Sequence, residues 1–394
     1  MIKLHIGEPS FEPPTGMLEA LTQAIRGDHT RYTSGEGSDE LRSVLAEKLN
    51  TRNGHDAQPE LVFVTPGSTQ GLLSVMQALS TADAEILLPA IYWPIHLQQA
   101  LIAGLRPVFY ALNGDGCPDL DALETLTRHR RPRLLLVNTP SNPTGAVFGE
   151  STLRALLDLA HARGLLVLSD EAYEDFVYGM TPHISLASLE RELAPADRRV
   201  FTTFTFSKTY GMTGWRLGYL AVPSAAHAKA VRAVQEATIM CPSEPVQYVG
   251  LAALADPASP RRNREHVKKN RDAILPSLRA CGLVSHPPEG GWYALLDCAR
   301  TGMTADLFAD RILKEKGVAV ASASGFVTRP LLDERGRVIA SGYASPPNRY
   351  LVRIALCGER EALERGVERL AEFVDGVRAG IPRKSRSLPA PEAL

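Results

Sequence analysis

The sequence predicts an α/β protein in which a mostly parallel, doubly wound sheet forms a large domain and a smaller α+β domain follows it. Three observations predict this. From about Leu61 onward, short apolar runs alternate with longer amphipathic stretches, the pattern of βαβ units around a buried sheet. After about Ala255 a Pro-containing break, DPASPRR, interrupts the pattern and precedes a long polar helix candidate. The length of 394 residues suffices for one large and one smaller domain, each with its own core.

In order along the chain, the runs LVFVT, EILLP, RLLLVN, LLVLSD, VFTTFTF and YLAV are the expected strands of the large sheet. Between them, Thr69 to Leu79, Ser151 to Arg163 and Ala225 to Ala237 carry apolar residues at three- and four-residue spacing and are expected to be helices. GGWYALLD and YLVRIAL are the strand candidates of the smaller domain. The stretch 381–394 is rich in Pro, Ser, Ala and Arg without periodicity and reads as a flexible tail.

Composition excludes several classes. Lys plus Arg number 43 against Asp plus Glu 44, a formal net charge of -1, so no general attraction to nucleic acid or anionic membrane is expected. Hydrophobic residues at 44% and charged residues at 22% describe a globular chain. The five cysteines are far apart and odd in number, without metal or disulfide spacing, so reduced thiols and no metal site are expected. Met1 to Lys3 lead almost directly into Gly7, Glu8 and Pro9, and no later run reaches the roughly 18 apolar residues of a membrane span. A cytoplasmic location is the expectation.

The most specific segment is FSKTYGMTGWRLGY, Phe206 to Tyr219, directly after an apolar strand. A lone lysine there would read as a solvated strand end. Its neighbours argue for chemistry instead. Pyridoxal phosphate (PLP) needs an amine whose pKa is lowered by burial and nearby positive charge, and Lys208 between Ser207 and Arg216 meets that need. The cofactor's phosphate needs hydroxyls and a guanidinium, which Ser207 and Arg216 supply.

This segment resembles the cofactor-lysine signature of the class I/II aminotransferases, the fold-type I family of PLP enzymes, and the resemblance runs in the family's order from Ile6 to about Leu356. It implies that Lys208 holds the cofactor as an internal Schiff base and moves the substrate's α-proton. NTPSNPTG, Asn138 to Gly145, is similar to the family's Asn-Pro-Thr-Gly turn, which implies that Asn142 donates to the cofactor's phenolic oxygen and borders the substrate. By itself such a segment is an ordinary turn. LSDEAY implies Asp170 at the pyridine nitrogen and Tyr173 at the phenolic oxygen. A carboxylate there keeps the ring protonated and able to accept electrons, although an isolated Asp at a strand end is more often a helix cap.

The remaining matches extend the same site. TPGSTQ implies Ser68 and Thr69 at the phosphate, where a helix N-terminus offers free N–H groups, though a plain cap reads equally well. LLPAIYWPIH implies Trp93 stacked on the ring, with Tyr92 second and His96 near the phenolic oxygen. IGEPSF implies that the Gly7 backbone lies beside the substrate. YLVRIAL implies that Arg353 holds the substrate α-carboxylate in a bidentate pair. HTRYTSGEGSDELR implies that Tyr32 crosses to the neighbouring subunit's phosphate, hence a homodimer with shared active sites.

The implied reaction moves the α-amino group of an amino acid to a 2-oxo acid. A PLP-dependent lyase or synthase, performing β- or γ-elimination or replacement or carbon–carbon bond formation, is the alternative. A PLP-binding regulator is opposed by the presence of Lys208, Asp170 and Arg353. The large, PLP-binding domain is expected over 15–255, and the small domain, closing over the substrate, over 1–14 and 256–380. Two departures lie on the substrate side. His5 stands where relatives usually have a small residue and reads first as a hydrogen-bonded structural histidine, second as a group in proton transfer or substrate recognition. The loop 327–349 is longer than in relatives and reads as a lid beside Arg353.

Overall fold

The computed structural model describes residues 1–130, 132–284, 286–334, 338–343 and 349–380. The tail expected at 381–394 lies outside the described residues. The chain opens with β1 (Ile2–Lys3), α1 (Met17–Arg26) and α2 (Asp39–Arg52). The alternating region follows as β2 (Val62–Thr65), α3 (Gly67–Leu79), β3 (Glu85–Pro89), α4 (Pro94–Ile102), β4 (Arg106–Tyr110), α5 (Leu120–Arg128), β5 (Leu134–Asn138), α6 (Glu150–Arg163), β6 (Leu166–Asp170), β7 (Val200–Thr205), α7 (Phe206–Thr209) and β8 (Gly218–Ala221). Helices α8 (Ala225–Ile239), α9 (Glu244–Leu254) and α10 (Ala258–Ala280) come next. The last part holds β9 (Tyr293–Asp297), α11 (Ala305–Lys316), β10 (Val318–Ala319), β11 (Ala321–Ser322), β12 (Thr328–Leu332), β13 (Val338–Tyr343), β14 (Leu351–Ala355) and α12 (Arg360–Gly380).

Strands β2 to β8 form a seven-stranded sheet in the order β2-β8-β7-β6-β5-β3-β4. Strand β8 runs antiparallel to both neighbours, and the other neighbouring pairs are parallel. The apolar runs are continuous because both faces are covered. On β5, Leu134 and Leu136 enter one core with Phe63, Met76 and Phe201, while Leu135 and Val137 enter the other with Leu153, Leu156 and Val167. Fully burying each such side chain contributes about 1.5–3 kcal/mol. Strand β4 is absent from the expected runs, since its sequence RPVFY contains Pro107. As the last strand of the order, β4 tolerates a proline where a central strand would lose a ladder hydrogen bond.

The strand order reverses between β3 and β5, because β4 lies outside β3 while β6 and β7 extend the other way. Ligands of open α/β sheets bind outside the strand carboxyl ends at such a reversal. A separate core gathers Leu4, Val267, Trp292, Phe308, Val352, Ile354, Leu370 and Phe373, from the N-terminal segment and from residues beyond α9. Around it, β9 and β11 flank β14 in antiparallel pairing. The longer loop is not irregular in its described part: β12 and β13 pair as an antiparallel hairpin. Among the described residues no helix is long and apolar enough to cross a membrane.

Candidate active site

Each large-sheet strand carboxyl end that precedes a sequence-identified segment opens onto one cavity of about 220 Å³. Ser68, Thr69, Trp93, Asn142, Asp170, Tyr173, Ser207, Lys208 and Arg216 all line it. Tyr32, Gly7 and Arg353 are not in its lining. Asn138, Thr205, Thr213 and Tyr293 line it as well and carried no signal of chemistry in the sequence.

The anion end of the cavity is built by α3 and the turn after α7. Pro66 precedes α3 and gives no side-chain cap, so the first N–H groups of the helix remain available. Gly67 takes a positive φ of 75°, and a Cβ there would run into the Arg216 guanidinium. Arg216 donates from Nη1 to Ser207 Oγ at 3.3 Å and to the Thr213 carbonyl at 2.8 Å. Hydroxyls of Ser68, Thr69, Thr205 and Ser207 thus converge with one guanidinium and a helix N-terminus. This donor set fits a phosphate ester.

The opposite wall comes from β5 and β6. Asp170 ends β6, buried, and accepts the Ala172 N–H at 3.2 Å. His96 lies one turn into α4, and its Nε2 is 2.8 Å from Asp170 Oδ2 with both side chains buried. The resemblance places His96 near the phenolic oxygen. The structure pairs it with Asp170 instead, because the helix that starts after Trp93 carries the ring toward the end of β6. Asn138 at the end of β5 donates to the Asp170 carbonyl at 3.0 Å and accepts the Asn142 N–H at 2.9 Å, which fixes the turn bearing Asn142. A carboxylate, an amide and a phenol facing one cavity fit the ring nitrogen and phenolic oxygen of a pyridine cofactor.

Lys208 sits on α7 immediately after β7, its Nζ 4.7 Å from the Trp292 ring centroid and 5.7 Å from that of Tyr173. Burial holds the amine below the ordinary lysine value, Cys357 and Glu8 opposing this and Arg216 and Arg353 adding to it. The turn is anchored from behind, since Thr209 donates to Asp175 Oδ2 at 2.8 Å and Arg52 pairs with Asp175 at 2.7 Å. Burial also raises the phenols of Tyr173 and Tyr293, which keeps both as neutral donors. A buried amine held below the ordinary lysine value gives up its proton more readily, which favours its use as nucleophile and as base.

Arg353 is buried in the middle of β14. Its Nη1 donates to Asn142 Oδ1 at 2.9 Å and its Nη2 to the His5 carbonyl at 3.1 Å. Its guanidinium carbon lies 3.8 Å from the Tyr293 ring centroid and 4.7 Å from that of Phe326. Nε is buried without a hydrogen-bond partner among the described residues. A buried guanidinium with a spare donor calls for an anion. The expectation that His5 is hydrogen-bonded does not hold for its Nδ1, which has no partner among the described residues. Its main chain does the work instead, orienting Arg353. Gly7 packs its backbone on Tyr293, whose hydroxyl a Cβ would strike. Tyr32 is 86% exposed, outside the cavity of its own chain.

Residues 1–369 match the family model of the class I and II aminotransferases. An aromatic-amino-acid aminotransferase of Thermococcus litoralis is 33% identical over 332 residues, 83% of this chain and 84% of that one. An aspartate aminotransferase of Pyrococcus abyssi is 32% identical over 95% of this chain and 92% of that one. The solved structure of an aromatic aminotransferase from Pyrococcus horikoshii matches with a TM-score of 0.84 at 30% identity, covering 96% of each chain.

Proposed function

The chain belongs to the class I and II aminotransferases, PLP-dependent enzymes of fold type I that move an α-amino group between an amino acid and a 2-oxo acid, and from that membership we propose the roles of its cavity residues. The lyase or synthase alternative is not favoured by these relatives. The observation that carries the assignment of roles is the convergence of Lys208, Asp170 and the phosphate-type donor set on one cavity, with the buried Arg353 beside Asn142.

In this reading Ser68, Thr69, Ser207 and Arg216 hold the phosphate, and Trp93 covers one face of the ring. When bound, PLP supplies an aldehyde carbon for the substrate nitrogen and a protonated ring that draws electron density from the α-carbon. Asp170 holds the proton at the ring nitrogen, and His96 fixes that carboxylate. Asn142 accepts from Arg353 through Oδ1, which leaves its NH₂ free to donate to the phenolic oxygen alongside Tyr173. Arg353 binds the α-carboxylate, and Lys208 Nζ takes the proton from the α-carbon. Support for separate units at 15–255 and at 1–14 with 256–380 comes from the core around Trp292, though Tyr173, Phe176 and Tyr178 join it from the large part.

The substrate's side chain is proposed to be aromatic or apolar. Among the described residues lining the cavity the cations are Lys208 and Arg216, both already assigned, while Tyr293 offers an aromatic ring. With a donor amino acid and no acceptor, the enzyme is expected to release one equivalent of 2-oxo acid per active site and stop, phenylalanine reacting with a higher kcat/KM than aspartate. Continued turnover without acceptor would overturn the proposed roles, and a preference for aspartate would overturn the side-chain class.

A cytoplasmic homodimer completes the proposal. All five cysteines are free thiols, which suits a reducing compartment. The exposed Tyr32, with Leu18 at 79%, Ile25 at 57% and Met240 at 60% exposure, gives apolar surface for a second copy. Light scattering should then give twice the chain mass of 42.8 kDa. Tyr32→Phe should weaken PLP binding about tenfold or more, the size of one hydrogen bond to a charged group. Mixing Tyr32→Phe with Lys208→Ala chains should restore partial activity, and a monomeric native protein would exclude the crossing.

A further inference from the structure

The described part of the long loop beside Arg353 is the hairpin β12–β13. Its described residues dock against the loop Ala90–Trp93, between β3 and α4, and against the edge strand β4. Tyr92 N–H donates to the Phe326 carbonyl at 3.1 Å, and the Tyr92 hydroxyl donates to the Thr328 carbonyl at 2.5 Å. Arg329 donates from Nη2 to the Ala90 carbonyl at 2.8 Å and from Nη1 to the Val327 and Thr328 carbonyls, each at 3.2 Å. Its guanidinium carbon stands 3.7 Å from the Phe109 ring centroid, and Tyr92 and Phe109 stack at 5.5 Å. Farther along the hairpin, Arg106 donates to the Glu334 carbonyl at 2.7 Å.

One ring-covering group and one neighbour of the carboxylate anchor hang from this junction. Trp93 follows Tyr92 directly, and Phe326 packs on the Arg353 guanidinium. We infer that Arg329 is a positioning residue for the substrate: it pins the loop carrying Trp93 to the segment that packs Phe326 on Arg353, so the ring face and the carboxylate anchor keep a fixed spacing. The inference rests on the proposed roles of Trp93 and Arg353. A planar guanidinium suits the task because it reaches three carbonyls while stacking on Phe109, which an ammonium cannot reproduce. None of the phosphate-side residues touches the junction, so the phosphate anchor stays in place and the consequence falls mainly on substrate geometry.

The test uses the PLP-loaded enzyme with Arg329→Ala, Arg329→Lys, Tyr92→Phe and, as a control, Arg353→Lys. Donor KM and kcat are read from the rate of 2-oxo acid formation, PLP retention from dialysis, and Tm from thermal unfolding. Arg329→Ala should raise donor KM about ten- to a hundredfold, the mark of binding lost equally from ground and transition states, with kcat and PLP retention nearly unchanged. Arg329→Lys should recover part of the loss, and Tyr92→Phe should show a smaller rise. An unchanged KM in Arg329→Ala, with a raised KM in Arg353→Lys, overturns the positioning role alone. KM, kcat and PLP retention failing in step with a lowered Tm overturn it too, since that is general loss of structure. An unchanged KM in Arg353→Lys overturns the carboxylate reading and this inference with it.

Discussion

Replacing Lys208 by alanine is expected to lower turnover by roughly 10⁴-fold or more, the upper end of what a positioned proton-transfer group supplies, while the protein still binds PLP noncovalently. Retention is expected because the phosphate-side donors lie elsewhere: Arg216 is held by the Thr213 carbonyl and Ser207, and Pro66 leaves the α3 N–H groups open. Borohydride reduction and peptide mapping should place the covalent label on Lys208 in the native enzyme and find none in the variant. A label on another lysine would overturn the assignment. The pKa direction adds a second readout without substrate. Burial holds the folded-state amine below the ordinary lysine value, so between the two values the unfolded chain binds more protons than the folded one. The cofactor-free protein should therefore gain stability as pH rises through that window, and Lys208→Ala should remove this part of the slope.

Much of this site was legible because the chemistry sits at strand ends. Asn142, Asp170 and Lys208 lie at or just beyond the ends of β5, β6 and β7, buried runs rich in apolar residues, so the polar segments at their ends stand out. What stayed hidden depends on contacts between distant segments. His96 and Asp170 are 74 residues apart, and no local pattern links them. Tyr293 lies in an ordinary apolar strand, and its place in the cavity follows from the packing of β9 beside β14 on Arg353. The hairpin is hard to see in TRPLLDERGRVIASGY, which breaks strand alternation with a proline and charges. Those features suit a solvent-facing two-stranded ribbon, in which Leu331 and Ile339 are exposed.

Asp170→Asn is expected to lower kcat and kcat/KM together by about 10²–10⁴-fold, the range of a positioned acid–base group, with donor KM and the fold nearly unchanged. The substitution keeps the shape and removes the charge. The backbone at 170 is fixed independently of the side chain, since β6 pairs with β5 through Asn138 and with β7 through Thr203, and the carbonyl accepts from the Asn138 amide. An asparagine oxygen still accepts the Ala172 N–H. What is lost is the anion that keeps a proton on the ring nitrogen, and with it the pull on the electrons of the α-carbon. Arg353 and Asn142 are untouched, so substrate binding should persist. His96 hydrogen-bonds this carboxylate at 2.8 Å and meets Trp93 edge-on, with ring centroids 5.2 Å apart. His96→Asn should therefore cost less than Asp170→Asn, and in the Asp170→Asn background it should cost little more, a non-additivity expected of two residues acting as one unit. Steady-state kinetics of the two single variants and the double variant, with circular dichroism to confirm folding, decide the matter. Near-normal turnover in Asp170→Asn would remove the protonated ring from the proposed chemistry, and full additivity would separate His96 from Asp170.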